Sequence, residues 1–222
     1  MKTGISKFIF SLLLVLFSIN GYSAVIVNYD NSSTYNTTAL TGYATNGAMM
    51  DGMAVTANFI GGGSETLYWA DTGAASGGVS GTGWGLSESG DTFGGYWSLS
   101  SSVGISSIFI DAGVGNTVFD IDWVGYGTDG SASGWTFQTD DPFDITATYS
   151  GQVSVGGAAA VGDLWRYLNL DFTQGFSGGM RFIADTDNLL YAGDINPVPE
   201  PTGLLLLASG LLGLGFLRRR KH

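Results

Sequence analysis

Leu164-Trp165-Arg166-Tyr167-Leu168-Asn169-Leu170-Asp171-Phe172 is the stretch that sets the fold class. On an extended chain Leu164, Arg166, Leu168, Leu170 and Phe172 fall on one side, and Trp165, Tyr167, Asn169 and Asp171 on the other. A period of two belongs to a β-strand with an inner and an outer face. Wound into a helix, the same apolar residues would be smeared around the axis and bury nothing.

The alternation recurs outward from this stretch. Phe143, Ile145, Ala147 and Tyr149 stand against Asp144, Thr146 and Thr148, and within 118–124 Phe119, Ile121 and Trp123 stand against Asp120 and Asp122. Met53, Val55, Ala57 and Phe59 alternate with Ala54, Thr56 and Asn58. Further β-rich runs lie at 24–29, 66–70, 96–100, 105–111 and 179–185. Runs every 8–12 residues or so, parted by Gly, Ser, Asn and Asp, predict an all-β fold. The expected architecture is an antiparallel β-sandwich of jelly-roll type with around ten to twelve strands. Segments 61–63, 74–83 and 129–134 read as loops, as does 156–162 despite its three alanines. No fixed-period repeat points to a propeller or β-helix.

The chain has 222 residues, 36 of them Gly and none Cys, and a formal charge of −11. Of its 19 acidic residues only Glu200 lies outside 24–196, and of its 8 Lys and Arg only Arg166 and Arg181 lie inside, leaving that stretch at −16. Such a surface repels phosphate backbones and anionic lipid, which excludes nucleic acid as a partner. Without Cys there is no disulfide or zinc-thiolate site, so stability rests on the core.

The two ends read as addresses. Lys2 and Lys7 precede about a dozen apolar residues, the size of a secretory signal and short for a membrane span. Gly21 and Ser23 supply the small-x-small pattern for cleavage after Ser23, so 1–23 is expected to be a signal helix removed after export. At the other end Val198-Pro199-Glu200-Pro201 is a stiff break, since two prolines fix φ and remove backbone donors. An uncharged Leu/Gly segment follows through Phe216 and closes on Arg218-Arg219-Arg220-Lys221. As a helix it is about 24 Å long, so a single span requires local thinning and snorkelling of the Arg tail. The positive-inside tendency keeps the tail cytoplasmic and puts the β domain outside. The domains are therefore 1–23, 24–196 and 197–222.

This C-terminal arrangement resembles the PEP-CTERM sorting signal of Gram-negative bacteria. The residues that carry the likeness are Val198, Pro199, Glu200, Pro201, the apolar helix, and Arg218, Arg219 and Arg220. The resemblance implies export through the Sec machinery, a transient inner-membrane anchor, recognition by an exosortase, and release toward the cell surface or matrix. It covers only the last 25 or so residues. An unprocessed tail anchor is the plainer alternative.

Chemistry in the exported stretch is bounded by what it lacks. With His222 in the tail, residues 24–196 contain no His, Cys or Lys, so His-, Cys- and Lys-based triads have no base. Gly61-Gly62-Gly63 has no Lys after it to make a phosphate loop. A glycoside hydrolase needs only two carboxylates, for which Glu65, Glu88 and several Asp are the candidates, yet the acids read as solvated faces. The protein is expected not to be an enzyme and to need no cofactor. Calcium is the exception to weigh: Asp185, Asp187 and Asp194 form the best acidic cluster, with Asp140, Asp141 and Asp144 second, though neither matches an EF-hand.

Six tryptophans, Trp69, Trp84, Trp97, Trp123, Trp135 and Trp165, include candidates for stacking on sugar. Trp123 alternates with core residues, whereas Trp84 and Trp135, in Gly-rich surroundings, are expected to be exposed. Asn31-Ser32-Ser33 and Asn36-Thr37-Thr38 fit N-x-S/T, which in a bacterium reads as a polar loop after the first strand. The expected function is structural or adhesive, in biofilm or floc formation, with exopolysaccharide as a partner. A lectin-like polysaccharide-binding module is the alternative.

Overall fold

The structure is a computed structural model that describes residues 24–42, 44–121 and 133–198. The expected signal segment at 1–23, the C-terminal segment expected as an apolar helix with its Arg tail, and Trp123 lie outside the described residues. The described chain is all-β. Its strands are β1 (Val25–Thr37), β2 (Leu40–Gly42), β3 (Ala54–Phe59), β4 (Ser64–Tyr68), β5 (Ala70–Gly73), β6 (Ser76–Ser80) and β7 (Trp84–Ser89). They continue with β8 (Trp97–Asp111), β9 (Thr117–Asp120), β10 (Ile145–Val155), β11 (Leu164–Phe182), β12 (Thr186–Leu189) and β13 (Asn196–Pro197). Among the described residues the only helical pieces are two 3-10 turns, Gly47–Met49 and Ala112–Val114.

Hydrogen bonds join the strands into one 13-stranded sheet along β13-β1-β10-β11-β8-β7-β6-β5, with β3 and β4 branching from β8, and β9, β12 and β2 from β11. The spine is the antiparallel pair β8–β11. The first half of β8 takes β7 as its second neighbour and the second half takes β3. Register shifts between Asp171 and Gly178 let β11 bend while it follows β8. Gly175 and Gly178, at φ of +75° and +103°, adopt the left-handed backbone that this bend uses. Hence 164–172 and 179–185, expected as separate strands, belong largely to one, and so do 96–100 and 105–111.

Three other expectations are corrected. The sheet is antiparallel except for β1 and β10, which run parallel from Val25↔Ile145 to Thr37↔Val155. The proposed loop at 74–83 contains β6. Its glycines are a packing requirement, since a Cβ on Gly77 would run into Gly47 and the Trp69 indole. The polar stretch at 31–38 likewise extends β1 to Thr37 instead of forming a loop.

One core joins the two wings of the sheet. Trp97 lies 5.2 Å from Trp69, 6.4 Å from Phe119 and 5.7 Å from Phe182, and Phe119 lies 5.8 Å from Tyr149 on β10. Each such side chain contributes on the order of 1.5–3 kcal/mol by leaving water. The buried indoles remain satisfied: Trp97 Nε1 donates to the Ala184 carbonyl at 2.8 Å and Trp69 Nε1 to that of Gly47 at 2.7 Å. Leu168, Leu170 and Phe172 are buried and Asp171 exposed, as alternation requires. Trp165, assigned to the outer face, is buried too, because Tyr29 of β1 covers it at 5.7 Å.

Candidate functional site

The C-terminal segment is fastened to the sheet up to the residue before the proline break. Ile195 is buried, Asn196 and Pro197 pair with Asn36 and Tyr35 of β1, and the Val198 N–H donates to the Thr34 carbonyl at 2.8 Å. Just upstream, Asp194 accepts the Thr38 N–H at 2.9 Å, which holds its carboxyl below the usual range. A continued strand would need backbone donors, and Pro199 and Pro201 have none. The edge pairing therefore has a chemical stop where the Pro-Glu-Pro element begins. Pro199, Glu200, Pro201, Arg218, Arg219, Arg220, Gly21 and Ser23 lie outside the described residues.

The aromatic candidates separate sharply. Trp84 is only 4% exposed, contrary to expectation. It opens β7, whose alternation turns Trp84, Leu86 and Glu88 inward, and its Nε1 donates to Glu65 Oε2 at 2.6 Å. Trp135 is half-buried, with Phe93 at 6.1 Å. Rings that face water include Tyr68 at 66%, Tyr191 at 60%, Tyr29 at 52%, Tyr96 at 42% and Phe93 at 37%, all ones the sequence reading passed over. Tyr29 lies nearly parallel to buried Tyr149 at 6.0 Å, so one face is backed by the core, and its hydroxyl is 3.3 Å from Thr136 Oγ1. Tyr96 carries the Arg181 guanidinium 4.9 Å over its ring. Phe93 sits in the turn before β8 and Tyr96 at its mouth, where neither has a periodicity to reveal its exposure.

The acidic candidates do not converge. Asp185 and Asp187 are buried with Asp120 and Asp163, whereas Asp194 is engaged by Thr37, Thr38 and Asn196. Burial pushes the Asp185 carboxyl up to about 8, against the donors Thr92 Oγ1 at 2.9 Å and Thr186 N–H at 2.8 Å. Asp144 accepts from the Ala24 N–H and Asp141 from that of Arg181, so the second cluster is also dispersed. Among the described residues no three acidic, His or Cys groups come together as a metal site. Glu65 is held by Thr82 and Trp84, while Glu88 is buried, pushed up to about 7 by that burial, and its carboxylate oxygens have no hydrogen-bond partner.

The family model of the PEP-CTERM protein-sorting motif matches residues 197–221. The match begins at Pro197, the last residue of β13, so the motif starts within the sheet. No curated protein and no solved structure matches the chain. The motif implies export and exosortase-dependent sorting to the cell surface, with an exosortase as processing partner.

Proposed function

We propose that the chain is a non-enzymatic surface or extracellular-matrix protein, with a structural or adhesive role in biofilm or floc formation. In this reading the β domain is the cargo, folded as a jelly-roll-like sandwich, and the two termini are its transport labels. The Sec machinery carries it across the inner membrane of a Gram-negative-type cell. The apolar C-terminal helix then holds it there until an exosortase acts, and exopolysaccharide is the matrix it joins.

The observation that carries the reading is the seam at Val198. A folded, acidic sheet ends in a pinned strand, and the sorting motif begins on that strand. The absence of His, Cys and Lys from 24–196 supports a role outside catalysis. Removing the gene and comparing cell aggregation and matrix composition with the parent tests the role. The reading expects weaker aggregation or a thinner matrix, restored by the intact gene but not by one lacking 199–222. Unchanged aggregation and matrix would overturn it.

A further inference from the structure

We propose that the face formed by Tyr29, Phe93, Trp135, Tyr96 and Gln138 is a binding strip for a neutral polysaccharide. It rests on the adhesive reading only for its biological use; its chemistry stands on the site itself.

The strip is organised by one extended segment. Residues 135–138 run antiparallel to 183–185, through Gln138 N–H to the Ile183 carbonyl at 3.1 Å, Ile183 N–H to Gln138 at 2.8 Å and Asp185 N–H to Trp135 at 3.0 Å. Along this segment Phe137 is buried, Trp135 and Thr136 are half-buried and Gln138 is exposed. Tyr29 meets this segment at Thr136, Phe93 meets it at Trp135, and Tyr96 closes the far end, where it lines a cleft of about 120 Å³ with Gln138, Thr139, Asp140 and Ile183. Rings thus stand beside amide, hydroxyl and carboxylate groups along the segment.

Each part suits a sugar chain. A pyranose offers an apolar C–H face and a rim of hydroxyls, which call for a fixed aromatic face beside donors and acceptors. Tyr29 is such a face, held from behind by Tyr149. A cleft of about 120 Å³ is well below the usual several hundred Å³ of an enclosed small-molecule pocket, but an open strip can accept a polymer lengthwise. A larger groove of about 470 Å³, lined by Ser80, Gly81, Trp84 and Ser100–Ser102, is less suited, because Trp84 shows almost no ring surface there.

Charge selects the class of polymer. Asp91 accepts the Phe93 N–H, Asp140 lines the cleft and Asp141 accepts the Arg181 N–H, beside the one cation Arg181 that the described residues place at the strip, in a domain of formal charge −16. Polyuronates and sulfated chains are repelled, while uncharged chains are not.

The test is native electrophoresis of the full chain in detergent, through gels cast with hydroxyethylcellulose, galactomannan or alginate. Retardation is expected in at least one neutral gel and not in alginate. Tyr29→Ala and Gln138→Ala should each weaken apparent affinity about tenfold, the effect of removing a central contact. Gln138 has an exposed side chain, so its variant tests the strip without opening the core, and near-UV dichroism checks both folds. No retardation in either neutral gel, retardation undiminished in both folded variants, or equal retardation in alginate overturns the proposal. Failure of surface display in cells, with gel binding intact, would count against the sorting reading and leave this strip standing.

Discussion

The Val198 N–H donates to the Thr34 carbonyl at 2.8 Å, one residue before the chain loses its donors at Pro199. The pairing brings the sheet to the edge of the sorting element. From Val198 to Thr202, where the apolar segment starts, four residues reach at most roughly 14 Å. In the proposed function, with the apolar segment held in the membrane, a domain of charge −16 would be tethered close to a lipid surface that it avoids, and a processing enzyme would work in the same narrow gap. Peeling β13 from β1 lengthens the tether, and its two-residue pairing makes peeling cheap.

Locking that seam should therefore hinder processing. Continuing the Tyr35↔Pro197 register by one residue sets Val198, whose N–H donates to the Thr34 carbonyl, opposite Thr34, and a hydrogen-bonded antiparallel pair has a Cα separation of about 5.5 Å, which a disulfide bridges. With no native Cys, the Thr34→Cys/Val198→Cys double variant can form only this disulfide within the chain. Pulse-chase gels should show cleavage slowed about tenfold when oxidised and restored by reductant. Equal rates in both states would show that the strand need not lift.

Stability should fall as pH rises. The Asp185 carboxyl, at about 8, and that of Glu88, at about 7, are both raised by burial above the ordinary carboxylate range near 4. The folded chain therefore binds these protons more tightly than the unfolded one. Their contribution is complete below about pH 4 and lost as pH climbs through 7–8. Thermal scans from pH 4.5 to 9 should give a steadily lower Tm, by about 2–4 °C for each kcal/mol lost. Glu88→Gln should flatten the part of the decline between about pH 4.5 and 7. A Tm that rises across this range would contradict the assignment.

Trp97 should be the costliest single truncation. It is fully buried among Trp69, Phe119 and Phe182, and its indole satisfies the Ala184 carbonyl. Trp97→Ala should destabilise by about 3–5 kcal/mol, read by urea unfolding. Tyr29→Ala, at a half-exposed ring, should cost far less. Comparable losses at both sites would mean that the core is not centred on Trp97.

The sequence made legible what one-sided burial imprints locally. Ile145, Ala147 and Tyr149 announce β10, and Val55 and Ala57 announce β3, because every second residue meets the core. Partnership left no such mark: nothing near Val25 indicates a parallel neighbour starting 120 residues later at Ile145. Glycine misled twice, at Gly77, where close packing demands it, and at Gly175 and Gly178, where it bends a strand without ending it. Trp84 was misplaced because its Gly-rich surroundings read as an exposed stretch, while Glu88, a charged residue turned inward two positions after Leu86, hid the alternation of β7. The C-terminal element was readable as a motif, but its attachment to Thr34 was not, since two paired residues carry no pattern.

The most direct measurement is intact-mass and C-terminal peptide analysis of the protein recovered from the cell surface and medium. Sorting by an exosortase predicts a chain that ends at or near Pro199–Pro201, with Arg218 through His222 absent. Recovery there of a chain still ending in Arg218-Arg219-Arg220-Lys221-His222 would contradict the account.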